Sequence, residues 1–124
     1  MRAGEIVLLR LPQLDLSPGK LRPVLVLSEL PGPFGDVLVC GVSSQLHQEI
    51  PHWDERLTPT DADFVASGLK VASVVRLNWL AAVSPSASAG GLGSIASERL
   101  TRLRQRLAAH PVDELAEQGV AAVA

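Results

Sequence analysis

Residues 23–43 read PVLVLSELPGPFGDVLVCGVS, and this stretch decides the fold class of the chain. It holds two apolar runs, residues 23–29 and residues 37–43, that are rich in valine and leucine and have the length of β-strands. The segment between them, LPGPFGD, is dense in proline and glycine, which favour a turn. A nearly continuous apolar run indicates burial on both faces. The stretch therefore predicts two buried strands joined by a turn, with Gly41 as a bulge or a point of close approach.

The sequence on either side extends this β-rich pattern. Residues 5–11 form another short apolar run and predict a strand, whereas residues 12–22 contain two prolines and a glycine and predict a loop. Residues 44–62 form a longer polar segment, in which we expect a short edge strand near residues 49–51.

Further strands are expected in the second half of the chain. Residues 64–65 can start one strand, and residues 69–75, extended to residue 79 or 83, predict one or two more. Residues 84–93 are small and rich in glycine, so they predict a flexible connection rather than a strand.

The period then changes from strand to helix. Between residues 97 and 109 the leucines recur at helical spacing, and His110, followed by a proline, predicts the end of this helix. Arginines at positions 99, 102 and 106 are interpreted as a solvated helix face, with binding of RNA or an acidic partner as the alternative. Residues 110–124 are acidic and are expected to form a loose tail.

These signals predict one domain over residues 1–124, mainly β, with five to seven short strands and a C-terminal helix.

Cys40 is the single cysteine, which excludes a disulfide framework within the chain and is best read as a small buried hydrophobic residue. Two tryptophans, two phenylalanines and no tyrosine exclude a nucleic-acid platform of stacked rings. No apolar stretch is long enough for a signal peptide or a membrane span, so we expect a cytoplasmic protein.

The overall charge of −2 argues against a nonspecific binder of polyanions. However, residues 110–124 hold three of the 13 acidic residues and no lysine or arginine. The remaining 109 residues therefore carry 11 basic and 10 acidic side chains, a net charge of +1. Binding of RNA would depend on where a few basic side chains lie, and not on the charge of the whole chain.

The order of sequence blocks resembles the MazF/PemK toxins over about residues 4–107. The blocks that carry the resemblance are GEIVLLRLP (residues 4–12), RPVLVLSE (22–29), VSSQ (42–45), SVVRLNWL (73–80) and LGSIASERLTRLRQRL (92–107). The resemblance implies a small SH3-like barrel of the CcdB/MazF type with a terminal helix, usually as a homodimer. It also implies a ribosome-independent endoribonuclease, the toxin of a type II toxin–antitoxin system, that cuts single-stranded mRNA at short motifs and leaves a 2′,3′-cyclic phosphate. The expected partner is an antitoxin whose disordered acidic and apolar tail blocks the active site.

The resemblance places the two catalytic residues at Arg22 and Ser43. A guanidinium offers five donors in a rigid fork and stays charged, so it suits the negative charge that the phosphorane carries on its oxygens during cleavage. Ser43 stands where the family commonly has threonine, and it keeps the hydroxyl donor. Pro23 restricts Arg22 to an extended backbone, which fixes where the arginine leaves the chain.

The remaining expected contacts with the substrate come from loops and strand ends. The candidate substrate-binding residues are Lys20, Pro23, Ser44, Gln45, Lys70 and Arg76. Ser73 stands where the family often has glutamine. Among the aromatic residues, Trp53 and Phe64 are expected near the substrate, and Trp79 is expected in the core or a dimer interface. We expect no metal and no cofactor. The general base stays open, although His47 has a suitable side chain.

Two alternative functions are compatible with the same fold. One is a toxin that poisons gyrase, as in the CcdB family, and the other is a non-catalytic barrel that only binds a partner. The Arg22–Pro23 junction, together with the hydroxyl of Ser43, favours the nuclease because a protein-binding toxin does not need that pair.

Overall fold

A curled antiparallel sheet forms the body of the domain, in a computed structural model that describes residues 1–11 and 19–110. Within these residues the strands are β1 (Glu5–Leu11), β2 (Lys20–Glu29), β3 (Val37–Ser43), β4 (Glu55–Leu57), β5 (Ser73–Val83) and β6 (Ser88–Ser94). The helices are α1 (Phe64–Ser67) and α2 (Ser97–Ala109), with 3₁₀ turns at Leu46–Gln48 and Pro85–Ala87. The strand order is β4-β5-β3-β2-β1-β6. The prediction of a mainly β barrel-type fold with a terminal helix is confirmed.

Strands β2 and β3, which the apolar runs of residues 23–43 form, lie at the centre of the sheet. β2 pairs with β1 on one side and with β3 on the other, with Val26 opposite Val39. Leu25 and Leu27 point into the main core, whereas Val24 and Val26 belong to a second apolar cluster. All four side chains are buried, because alternate residues of a strand face opposite sides of the sheet. The continuous apolar run therefore reflects burial on both faces, as predicted.

Helix α1 packs against the outer edge of β6 through backbone contact at two glycines. A Cβ atom on Gly93 would lie 2.1 Å from the carbonyl oxygen of Ala66, and one on Gly68 would lie 2.1 Å from that of Leu92. Gly68 also ends α1 with a positive φ of 75°, a conformation that glycine adopts without strain. The glycines of this region therefore serve close packing at the edge of the sheet.

Five local predictions are wrong. Residues 20–22, predicted to be the end of a loop, form the start of β2 because they pair with β1. The edge strand expected near residues 49–51 is absent from that position, which follows the 3₁₀ turn Leu46–Gln48, and the strand comes later as β4. Residues 64–65 begin α1, and β5 starts at Ser73 instead of residue 69. Residues 84–93 contain most of β6, which pairs with β1 through two register shifts. Small residues and glycine are poor strand formers, so their intrinsic propensities predict a loop. In the fold they form a strand and allow the close approach of α1, a tertiary contact that intrinsic propensities do not include.

A buried network of ion pairs joins α2 to the segment around β4. Arg99 is only 8% exposed, and its guanidinium donates from Nε and Nη2 to the two carboxylate oxygens of Asp63 at 2.9 and 3.1 Å. Its Nη1 atom donates to Glu55 at 2.9 Å. Arg102 and Arg106 also bind Glu55, each with a contact at 3.0 Å. The interpretation of these arginines as a solvated face is therefore wrong for Arg99, and all three belong to one network.

The carboxylate of Asp63 also supports the start of α2, since it accepts a hydrogen bond from the backbone N–H of Ala96 at 3.0 Å. The hydrogen bonds from Arg99 are the main reason that the pKa of Asp63 lies below its usual value. A carboxyl group whose pKa is lowered by folding stabilises the fold above its unfolded pKa of about 3.9. That stabilisation is lost as the pH falls through the folded pKa.

We therefore expect Asp63→Asn to lower the free energy of unfolding by about 2 kcal/mol at neutral pH and to lose this effect in acid. Urea unfolding of the wild type and the variant, followed by circular dichroism from pH 7 down to about pH 2, measures the difference. Glu29→Gln is the control because Glu29 is an exposed carboxylate at the end of β2. A difference for Asp63→Asn that stays constant down to about pH 2 would contradict the assignment.

Cys40 lies in β3 and is fully buried in the main core, as predicted. Burial, with a further contribution from the charge of Asp54, raises the pKa of the Cys40 thiol to about 12. The thiol is therefore protonated and shielded at neutral pH, and it acts as a packing group.

Candidate active site

Two adjoining cavities form one groove where β2, β3 and β5 meet. Their volumes are about 270 and 310 Å³. Both are lined by the same five residues: Arg22, Pro23, Val42, Ser43 and Gln45. The two residues predicted to be catalytic, Arg22 and Ser43, therefore lie on the wall of one groove although they are 21 positions apart in the chain.

The sheet explains how Arg22 reaches this groove. Arg22 lies in β2 opposite Leu9 of β1, and Pro23 lies opposite Leu8. The Arg22 side chain is exposed, on a backbone held by strand pairing and by the following proline. The rigid strand fixes the point from which the charged guanidinium leaves the backbone, and the guanidinium is suited to bind a phosphate.

A chain of hydrogen bonds connects the Ser43 side of the groove to Arg76 on β5. The backbone N–H of Gln45 donates to the Ser43 hydroxyl oxygen at 3.1 Å, which leaves the hydroxyl proton of Ser43 to donate elsewhere. Gln48 donates from Nε2 to the side-chain oxygen of Gln45 at 3.0 Å, and Arg76 donates from Nη1 to the side-chain oxygen of Gln48 at 3.3 Å. The two glutamines thus hold Arg76 at the groove.

One hydrogen-bond donor of the Arg76 side chain is unpaired among the described residues. Its Nε–H is buried and has no hydrogen-bond partner among the described residues. An unsatisfied buried donor costs about 1–3 kcal/mol, so a ligand acceptor that reached it would remove a cost already present in the fold. Arg76 lines the first cavity, which makes the phosphate oxygens of a bound ligand suitable acceptors.

The second cavity extends the groove towards the start of β5. Leu69, Lys70, Val71 and Ser73 line it together with Ser44. The charged residues among the described lining of both cavities are Arg22, Lys70 and Arg76, all of them basic. Seven of the eight candidate site residues therefore line the groove. The exception, Lys20, is exposed at the first position of β2 and lines neither cavity.

Ser73 lines the second cavity but has its hydroxyl engaged within the chain, whereas His47 lies outside both cavities. Ser73 is buried, and its hydroxyl donates to the backbone carbonyl of Val71 at 2.9 Å, so it fixes the chain that enters β5. His47 is exposed in the 3₁₀ turn Leu46–Gln48 and is not among the residues that line either cavity. Within the described part of the chain, no group of three or more His, Cys, Asp or Glu residues is arranged to hold a metal ion.

The aromatic ring at the groove is Trp79, which differs from the prediction. Phe64 is buried in the main core. Trp53 packs against that core and donates from its indole N–H to the side-chain oxygen of Asn78 at 2.8 Å. Trp79, 36% exposed, lines the first cavity beside Arg22.

A bulge in β5 explains the position of Trp79. Cys40 pairs with Leu80, but the next residue, Gly41, pairs with Arg76, so residues 77–79 have no partner on β3. A Cβ atom on Gly41 would lie 3.3 Å from the Cβ of Trp79, which shows how closely the two residues approach. The prediction of a bulge or close approach at Gly41 is confirmed. Gly41 is the feature of the sequence that indicates a large side chain packed close to β3 at this point.

The curled sheet, the terminal helix and the basic groove define a small barrel-type domain with a candidate phosphate-binding site. A family model described as "PemK-like, MazF-like toxin of type II toxin-antitoxin system" matches residues 2–110. The chain belongs to this toxin family, as its sequence blocks predicted, and an antitoxin is its implied partner. A comparison with curated proteins finds no match. No helix of the described residues is long and apolar enough to span a membrane.

Proposed function

We propose that this toxin is a metal-independent endoribonuclease that cleaves single-stranded mRNA at short sequence motifs. The 2′-oxygen of one nucleotide forms a bond to the adjacent phosphorus, and the bond from phosphorus to the 5′-oxygen of the next nucleotide breaks. The 2′-hydroxyl proton is removed and the 5′-oxygen gains a proton, so the products are a 2′,3′-cyclic phosphate and a 5′-hydroxyl. The observation that carries the proposal is that Arg22 and Ser43 line the same groove.

Each groove residue has a role that its chemistry supports. Arg22 stabilises the negative charge that develops on the phosphorane, and Ser43 donates its hydroxyl proton to a phosphate oxygen. Arg76 and Lys70 neutralise the flanking phosphates, because they continue the basic lining on either side. The side chains of Ser44 and Gln45 contact base edges or sugars, and Lys20 contacts the RNA backbone beyond the cavities.

We also propose an antitoxin partner that binds the groove, and a homodimeric assembly. An antitoxin segment with acidic and apolar residues would block RNA by occupying Arg22 and Arg76, and it would become ordered on binding. A homodimer would place two copies of the groove in one particle.

Incubation of the purified protein with mixed-sequence RNA in EDTA tests the proposed activity. We expect cleavage that survives chelation, with 2′,3′-cyclic phosphate ends, and a normal rate for Arg104→Ala, since Arg104 is exposed on α2. Absence of cleavage together with gyrase trapped on DNA would favour the gyrase poison. Absence of both activities would favour a barrel that only binds a partner.

Substitutions at Ser43 test the role of its hydroxyl. Ser43→Ala should reduce the cleavage rate about 100-fold because it removes a fixed donor, whereas Ser43→Thr should keep most of the rate. Single-turnover cleavage of a labelled RNA measures both rates, and thermal unfolding verifies that both variants fold. An unchanged rate for Ser43→Ala would contradict the assigned role.

A further inference from the structure

We propose that Trp79 stacks on a nucleobase next to the cleaved bond, and that it is a base-binding residue of the toxin. The inference rests on the proposed ribonuclease function and adds a base-binding position to it. Trp79 is a large aromatic residue on a strand, yet 36% of it is exposed, and it lines the cavity that also contains Arg22 and Arg76.

The surroundings of Trp79 fix the position of its ring. Gly41 lies beneath it, and a Cβ atom there would come within 3.4 and 3.5 Å of the ring atoms Cγ and Cδ2. A side chain at position 41 would displace the ring. The glycine therefore lets the indole rest close to the backbone of β3, with its exposed part towards the groove.

Hydrogen bonds to Leu77 and Asn78 hold the bulge that presents Trp79. The backbone N–H of Leu77 donates to Oδ1 of the buried Asp54 at 3.0 Å, and Oδ2 of the same carboxylate accepts from Ile50 at 2.9 Å. Asn78 is bound by the indole N–H of Trp53. With residues 77 and 78 anchored, Trp79 is preorganised before RNA arrives, which reduces the entropy lost on binding.

The chemistry next to the ring favours a nucleotide as the occupant. A nucleotide presents a flat base and a charged phosphate a short distance apart. The groove offers the matching pair, a partly exposed indole and the charged guanidinium of Arg76, on the lining of one cavity. Bases stack on aromatic side chains in single-stranded RNA, and loss of one such contact weakens binding about 5- to 150-fold.

Binding of RNA with single abasic positions provides the test. The probe is a single-stranded RNA with a 2′-deoxyribose at the cleaved position, so it binds without reacting, and each base near that position is removed in turn. We expect wild-type toxin to lose affinity about 5- to 150-fold at one particular abasic position. Trp79→Ala should bind the intact probe with the same loss and should be insensitive to removal of that base. Trp79→Phe should restore most of the sensitivity.

Phe34→Ala is the matched control, because Phe34 is an exposed aromatic residue in the turn between β2 and β3 and lines neither cavity. It should bind the intact and abasic probes like the wild type. Equal sensitivity of wild type and Trp79→Ala at every position would overturn the inference, even if the toxin cleaves RNA. The same holds if Trp79→Ala binds RNA normally and loses only a protein partner. A wild-type protein that neither cleaves nor binds RNA would overturn the proposed function as well.

Discussion

Arg99→Leu should lower the free energy of unfolding by about 3–5 kcal/mol, the largest loss of stability we expect from a single substitution. Arg99 is 8% exposed and donates to Asp63, Glu55 and the backbone carbonyl of Arg56. Leucine has a similar size but no donor, so the substitution leaves the buried carboxylate of Asp63 without its bidentate partner. An uncompensated buried charge costs more than the packing of leucine restores.

Urea unfolding measured by circular dichroism checks this expectation. Arg104→Leu is the matched control, because Arg104 lies on the same helix and is exposed. It should change the free energy of unfolding by at most about 0.5 kcal/mol. If both variants unfold at the same urea concentration, the network does not stabilise the fold as described.

Arg22→Ala should reduce the rate of RNA cleavage by about 10²- to 10³-fold while leaving the fold intact. The reason is that the guanidinium is proposed to stabilise charge that is greatest in the transition state, so its loss acts mainly on the rate of the chemical step. Arg22 is exposed, so its removal creates no cavity in either apolar cluster. Stability should therefore stay within about 0.5 kcal/mol of the wild type.

Arg22→Lys separates charge from geometry at the same position. Lysine keeps the charge but loses the planar fork, so we expect a rate between those of wild type and Arg22→Ala. Single-turnover cleavage at saturating protein measures the chemical step, and binding to a non-cleavable RNA measures affinity. Equal rates for wild type and Arg22→Ala would remove Arg22 from the proposed mechanism.

The sequence was informative where a local pattern determines the structure. The apolar runs of β2 and β3 and the leucine spacing of α2 are dictated by burial, and these elements were predicted closely. The groove was found through Arg22 and Ser43, because the order of the sequence blocks resembles a known family. Lys20 shows the limit of that approach, since its place at the start of β2 keeps it outside both cavities.

Features that depend on distant parts of the chain were missed. The arginines of α2 have the spacing of an exposed stripe, and only contact with Glu55, 44 positions before Arg99, joins them in one network in which Arg99 is buried. Similarly, β6 has the composition of a loop and becomes a strand because β1 and α1 lie on either side of it. The position of Trp79 on the groove is not predictable, because a run of strand residues does not reveal the bulge in β5. Its expected place in a dimer interface stays a prediction.

The ion-pair network also sets an order of events during synthesis of the toxin. Asp63 and Glu55 leave the ribosome well before Arg99, Arg102 and Arg106, which neutralise them in the finished domain. Until α2 has been made, these carboxylates lack their partners. Burial of the unpaired charges would be unfavourable, so the segment around β4 stays exposed to water. A nascent chain that stops between β6 and α2 would therefore lack the ion pairs that join α2 to the segment around β4. Completion of the fold is thereby delayed until late in translation, when the last helix of the described domain becomes available.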